Sequence, residues 1–372
     1  NKNYLFVDGR YTLQAKRESG KNFKIIEFPK LLPKNLLKRV ILGYDPNLYT
    51  KIQLKFFFGK NIKLLPIYKN LVDVLKKPRD PNTGQYYSLP QEIAGKSHKY
   101  KISIVSKIIK KNKSDYLFIS APENVSWLLN IRGSDVPFSP VTNCNCLIGK
   151  NKKVLLIGKK NKFKKLLKER KISKNQIIDP KNLIRLFKGL KGKKFIIDEK
   201  TCSIFNEGLI AEKFHIKERV DPCYLLKAKK NLAEIHNMIK SHIEDGVALT
   251  KFIFWMKNNQ KLGLTELDAE KKLEYLRKQN KNYLYPSFNT IAGSGPNGAI
   301  VHYRSSRKTN RKIKSKDIFL CDSGGQYKYG TTDVTRTICF SKQSQKIKNK
   351  PNPTFAFRIF LYDSCSPTLG QA

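Results

Sequence analysis

The sequence predicts two α/β domains followed by an α+β domain, and three observations carry that prediction. Strand-like and helix-like segments alternate up to about residue 221. A long amphipathic helical pattern then opens near residue 227, and beyond Tyr283 the pattern turns to strands. In the first unit, residues 4–7, 11–17, 24–28, 40–44, 48–58 and 62–67 alternate between strand-like and helix-like patterns, which makes it an α/β unit. Pro78, Pro81, Gly84 and Pro90 mark a linker, and the alternation resumes at Lys99.

In the second α/β domain, residues 114–120 and 154–158 read as strands, 163–171 and 183–190 as helices, and 195–198 as a closing strand. Residues 227–257 are expected to form one continuous helix, because Leu232, Ile235, Ile239, Ile243 and Val247 recur at steps of three and four and draw a single apolar stripe. Thr265-Glu266-Leu267-Asp268 opens a second helix as a capping box, the threonine hydroxyl satisfying an orphan amide. The boundaries assigned are 1–75 for a partial first domain, 76–97 for the linker, 98–221 for the second domain, 222–343 for the first half of the third, and 344–372 for an aberrant or disordered tail. That tail contains no lysine from residue 351 on, although lysine abounds elsewhere; a frameshift or a junction explains it, against a genuine disordered terminus.

The 372 residues allow two or three domains, each with its own core, and the 40% apolar content is that of a globular protein. No apolar run approaches the roughly 20 residues of a membrane span. Residues 1–7 begin a strand at once and contain neither an initiator methionine nor a signal peptide, so the start reads as that of a fragment. Seven cysteines without CxxC or zinc-type spacing indicate a reduced, cytoplasmic compartment, and the Cys144/Cys146 pair reads as two buried thiols. The net charge of +45 would suit a polyanion. The basic clusters recur in every region, however, beside abundant isoleucine and asparagine, and aromatics do not interleave with them, so no specific nucleic-acid partner is expected.

Two aspartates dominate the chemistry. Asp322 and Asp333 lie eleven residues apart across an expected β-hairpin whose turn is punctuated by Gly324, Gly325 and Gly330. Carboxylates at facing strand ends suit hard divalent cations such as manganese or magnesium. His302 is expected at the end of a strand over residues 299–303, twenty residues before Asp322. The glycines of residues 293–298 match GxGxxG, but a strand after the third glycine is wrong for a dinucleotide site, which needs a helix there. His236 and His242 fall on the long helix as packing or surface residues, and His98 and His215 in linker-like context.

Four segments together carry a resemblance: residues 5–12 (LFVDGRYT), 127–137 (WLLNIRGSDVP), 293–303 (GSGPNGAIVHY) and 322–337 (DSGGQYKYGTTDVTRT). In order and spacing the chain resembles Xaa-Pro aminopeptidase (aminopeptidase P) in its long three-domain form, from residue 1 to about 343. The resemblance implies two creatinase-type α/β domains before a pita-bread catalytic domain with two divalent metal ions, manganese in the family. It also implies hydrolysis of an N-terminal residue preceding proline through a metal-bridged hydroxide, and a homodimer acting on peptides with proline at position 2. By resemblance Asp322 and Asp333 are metal ligands and His302 hydrogen-bonds the substrate or tetrahedral intermediate. Trp127 and Arg132 are expected near the substrate cleft.

The family's remaining ligands, one histidine and two glutamates, have no counterpart, because neither residue type occurs after His302. The chain as given is therefore expected to be an incomplete, inactive metallopeptidase. Prolidase or creatinase chemistry is the nearest rival, disfavoured by the extra leading α/β domain. A non-catalytic pita-bread binding module, or a gene fragment without activity, is the alternative from another class.

Overall fold

A computed structural model of the chain describes residues 3–37, 39–75 and 84–342. The assigned tail, and residues 76–83 of the assigned linker, lie outside the described residues. Packing divides the chain into two units, Pro29–His236 and Asn1–Phe28 with Asn237–Ala372.

The 29–236 unit is organised by a six-stranded mixed sheet. Strands Tyr116–Ile119, Lys194–Ile197 and His215–Glu218 run parallel, and Asn145–Gly149 and Val154–Ile157 join antiparallel on the other side. Alternation along these strands builds two cores. Leu117, Ile119, Cys146, Ile148, Val154 and Leu156 face helices His98–Lys111 and Pro122–Leu129. Phe118, Leu147, Leu155, Ile157, Phe195 and Ile197 face helices Leu183–Gly189 and Ile204–Ala211. Cys144 and Cys146 are buried free thiols, as read from sequence, and burial pushes the Cys144 thiol up to about 12. Residues 195–198 do not close the sheet: His215–Glu218 pairs outside them, so His215 begins an edge strand and His98 begins a helix rather than sitting in a linker.

The early segments form α/β structure, as two separate parallel pairs. Strands Tyr4–Asp8 and Lys24–Phe28 pair across helix Thr12–Glu18, and strands Ile41–Tyr44 and Lys63–Pro66 pair across helix Lys51–Phe58. The first pair belongs to the unit that contains residues 237–342.

The expected continuous helix over residues 227–257 is broken. Helix Pro222–Ala228 ends, and Leu232–Asn259 starts anew. The break is a reciprocal cap: Asn231 N donates to Glu234 Oε2 at 2.9 Å and Glu234 N donates to Asn231 Oδ1 at 3.1 Å. The predicted stripe is also not the packed face. Ile239, Ile243 and Val247 are 56%, 64% and 53% exposed, whereas Ser241, Asp245, Ala248, Leu249, Phe252 and Met256 are buried. Leu249, Phe252 and Met256 pack with Ala269 and Leu273 of helix Glu266–Lys278 and with Phe319, Cys321 and Ile338 of a three-stranded sheet. The Thr265 capping box forms as read: Thr265 N donates to Asp268 Oδ2 at 3.0 Å, and Asp268 N donates to Thr265 Oγ1 at 3.3 Å.

Candidate metal centre

The Ile318–Ser323 strand lies between Ile291–Ser294 and Val334–Cys339, antiparallel to both. Phe319, Cys321 and Ser323 are buried on one side, which leaves Leu320 and Asp322 on the other. The register pairs Asp322 with Thr335 and Ser323 with Val334. Asp333 is two residues before Thr335, so it shares the face of Asp322 as a diagonal cross-strand neighbour, about 7–8 Å away in such pairs.

Asp322 thus sits on a strand and Asp333 immediately before the strand paired with it, but not across a simple hairpin. The intervening residues leave the sheet and form a second hairpin, Gly325–Tyr327 with Gly330–Thr331, which pairs with Tyr283–Pro286. Gly324 is required at the exit because a Cβ there would lie 2.0 Å from Thr332 O.

Asp322 is half-buried and Asp333 exposed. Burial foremost, with the charge of Asp333 adding to it, holds the Asp322 carboxyl above its ordinary range; the Thr335 hydrogen bond and His302 pull the other way. Thr335 Oγ1 donates to Asp322 Oδ1 at 2.7 Å and orients it. Two crowded carboxylates of this kind fit one side of a hard divalent cation site. Among the described residues no cluster of three or more His, Cys, Asp or Glu is arranged to hold a metal ion.

His302 is not at a strand end. Residues Gly295–Ala299 form a 3-10 turn, and a tight turn with Tyr303 N donating to Ile300 O at 3.1 Å replaces the strand expected over residues 299–303. The strand fails because Ile300 and Tyr303 are both buried, which consecutive alternation cannot do for residues three apart. His302 itself takes φ +57°, the left-handed region, which a non-glycine residue occupies only when its surroundings hold it there. The glycines of residues 293–298 serve the fold: a Cβ on Gly293 would meet Gly298 Cα at 2.8 Å, so the loop closes on its own backbone.

Two residues that sequence reasoning did not single out as site residues hold this loop. Glu266, fully buried, accepts from Ser294 N at 2.7 Å and Asn297 Nδ2 at 3.0 Å through Oε1, and from Tyr303 Oη at 2.8 Å and Arg311 N at 3.0 Å through Oε2. Tyr11 Oη lies 2.6 Å from His302 Nδ1. The LFVDGRYT motif was the available signal for Tyr11. No local pattern marks Glu266, which looked only like part of a helix cap.

Trp127 and Arg132 lie in the 29–236 unit. Trp127 packs against the first core, donates Nε1–H to Glu234 Oε1 at 3.2 Å and has the Lys101 ammonium 4.1 Å from its ring centroid. Arg132, at the end of strand Ile131–Arg132, donates to the Ser126 and Ile131 carbonyls. His242 Nδ1 reaches Met238 O on its own helix.

Lys101 gives a pH prediction. Burial foremost lowers its pKa from 10.5 to about 8, while its ammonium donates to Trp127 O at 3.0 Å and Asn130 Oδ1 at 2.8 Å. Below about pH 8 folded and unfolded chains both carry the charge, and its burial costs roughly 3 kcal/mol. Between about 8 and 10.5 the unfolded chain binds more protons, so this group makes stability rise with pH. Urea midpoints of wild type and Lys101→Met at pH 7 and pH 10 should show a gain in the wild type that the variant lacks; equal pH slopes refute it.

Residues 76–234 match the family described as the creatinase/prolidase N-terminal domain, and residues 232–350 match metallopeptidase family M24. The chain is 35% identical over 369 residues to Xaa-Pro aminopeptidase ApepP of Drosophila melanogaster, covering 92% of this chain and 59% of that protein. Probable Xaa-Pro aminopeptidase P of Paracoccidioides lutzii is 32% identical, with 92% and 60% covered. X-prolyl aminopeptidase from Caenorhabditis elegans, described as a cytosolic enzyme with a di-nuclear active site, superposes with a TM-score of 0.82 at 26% identity, over 92% of this chain and 60% of that one. Xaa-Pro dipeptidase from Bacillus anthracis, with a TM-score of 0.54 at 20% identity and 68% of each chain covered, shares the fold. The expected architecture, α/β followed by pita-bread, agrees with these matches. The chain spans about three fifths of the length of the aminopeptidases it matches.

Proposed function

The chain belongs to the creatinase/prolidase-type metallopeptidases, with an M24 domain behind a creatinase/prolidase N-terminal domain, and on that premise we propose that the protein is an Xaa-Pro aminopeptidase. It removes the N-terminal residue of peptides with proline at position 2. The observation that carries this reading is the shared face of Asp322 and Asp333, with the carboxyl of one kept above its ordinary range by burial and by the other.

Asp322 and Asp333 would hold divalent cations, manganese in our reading, and such a pair supplies Lewis acidity and an activated water at neutral pH. Thr335 orients the Asp322 carboxylate by donating to Oδ1. His302, held rigidly on its turn, offers a ring nitrogen as hydrogen-bond partner to the scissile carbonyl and the charge that develops on it. We place the protein in the cytosol as a homodimer; the description of the C. elegans enzyme as cytosolic supports the first point.

For the polypeptide of residues 1–372 by itself we propose no turnover, since two carboxylates and one histidine leave most coordination positions to water. The protein made by its own cells, supplied with Mn(II), should hydrolyse an Arg-Pro-Pro peptide at least tenfold faster than Arg-Ala-Pro. Equal rates on both peptides, or none on either, refute the aminopeptidase reading. Manganese-dependent release of arginine by the pure 372-residue chain would refute its inactivity alone.

A further inference from the structure

We propose that Tyr11 is a positioning residue for His302, its phenol donating to Nδ1 so that the neutral imidazole carries its proton on Nε2. The two residues are 291 positions apart, yet both belong to the same compact unit, because the strand pair Tyr4–Asp8 and Lys24–Phe28 packs with residues 237–342 rather than with the segment that follows it. Tyr11 Oη and His302 Nδ1 are 2.6 Å apart, with ring centroids 5.5 Å apart and planes tilted by 54°.

Tyr11 is itself fixed. Asp8 Oδ1 caps the turn by accepting from Arg10 N at 2.9 Å, and the Asp8 carboxylate takes the Arg10 guanidinium at 2.8 and 3.1 Å. That guanidinium stands 5.7 Å from the Tyr11 ring centroid. The DGRY sequence of residues 8–11 is thus one device: aspartate caps and aims arginine, arginine covers tyrosine, and tyrosine meets the histidine.

Acidity decides the direction of the hydrogen bond. In a neutral pair a phenol O–H is a stronger donor than an imidazole N–H, and the unprotonated imidazole nitrogen is a stronger acceptor than a phenol oxygen. Donation to Nδ1 fixes the tautomer, as a partner on one ring nitrogen does generally. The consequence for chemistry rests on the aminopeptidase reading: His302 would then present Nε2–H, a donor, to a substrate carbonyl, and could not accept a proton from it at that atom.

The test reads the ring directly. The 372-residue chain has five histidines, so ¹⁵N-histidine labelling gives a resolvable long-range ¹H–¹⁵N correlation spectrum at pH 8, with His302 assigned from the His302→Gln spectrum. The wild type should show His302 as a single Nε2-protonated tautomer. Tyr11→Phe should convert it to an averaged mixture while His98, His215, His236 and His242 stay in place and report an intact fold. An averaged or Nδ1-protonated His302 in the wild type overturns the proposal without recourse to any variant, and so does an unchanged pattern in Tyr11→Phe. In the protein made by its own cells, Tyr11→Phe should lower kcat about tenfold with KM within twofold. Unaltered kcat overturns the positioning role, whereas absence of all peptidase activity alongside the expected spectra refutes the aminopeptidase reading and leaves the tautomer assignment standing.

Discussion

Asp245→Ala should cost the 237–342 region about 3–5 kcal/mol, because it strands a buried guanidinium. Arg277 and Asp245 are 1% and 0% exposed. Arg277 Nε donates to Asp245 Oδ1 at 2.7 Å and Nη2 to Oδ2 at 3.0 Å, the bidentate geometry in which such pairs are strongest. Burial works against the arginine's charge, yet the hydrogen bond and charge of Asp245 outweigh it and leave its pKa raised. Tyr327 Oη adds a third donor to Asp245 at 2.8 Å, and Arg277 Nη2 spans to Ser323 Oγ at 3.1 Å. The pair therefore ties helices Leu232–Asn259 and Glu266–Lys278 to the end of the strand that carries Asp322. Urea unfolding measures the loss. Asp245→Ala with Arg277→Met should be more stable than Asp245→Ala alone, since removing the second charge removes the uncompensated burial. A single-variant loss below about 1 kcal/mol, or a double variant worse than the single, would contradict this account.

The same pair shows where sequence patterning stops. Short strand-like apolar runs located Tyr116–Ile119 and Val154–Ile157, because these strands are buried almost throughout and their own residues display it. The Thr265 cap was legible for the same reason: donor and acceptor lie three residues apart. The stripe from Leu232 to Val247 was equally regular, but regularity does not say which face has a partner. The packed face carries Ser241 and Asp245, and Asp245 is buried only because Arg277 arrives from another helix. Asp322 and Asp333 were legible because strand register is a short-range property of the residues between and around them. Tyr11 was not, since its partner lies 291 residues away. His302 was placed in a strand because Ala299-Ile300-Val301-His302-Tyr303 is rich in strand-forming residues; a buried carboxylate elsewhere overrides that propensity.

That carboxylate is Glu266, and its removal is the second large expected effect. The Glu266 side chain is the common acceptor for two backbone amides, Ser294 N and Arg311 N, that bracket the loop carrying His302, and for Asn297 Nδ2 and Tyr303 Oη inside it. Glu266→Ala strands the Ser294 and Arg311 amides in a site that is fully closed around the residue, while Asn297 Nδ2 and Tyr303 Oη keep the Thr309 carbonyl, at about 1–3 kcal/mol for each stranded amide. A total of roughly 2–6 kcal/mol follows for the two amides if the loop stays closed, and less if it opens to recruit water, so stability and loop protection must be read together. Glu266→Gln separates shape from charge: the amide keeps one acceptor oxygen but turns an NH₂ toward donors, and about 2 kcal/mol is expected. Amide exchange of residues 294–311 should accelerate in both variants, more in alanine, with the 29–236 unit unaffected. His302 would then lose the left-handed turn that presents it, and the Tyr11 contact with it. Wild-type exchange in Glu266→Gln would mean that backbone closure between Gly293 and Gly298, rather than the carboxylate, holds His302 in place.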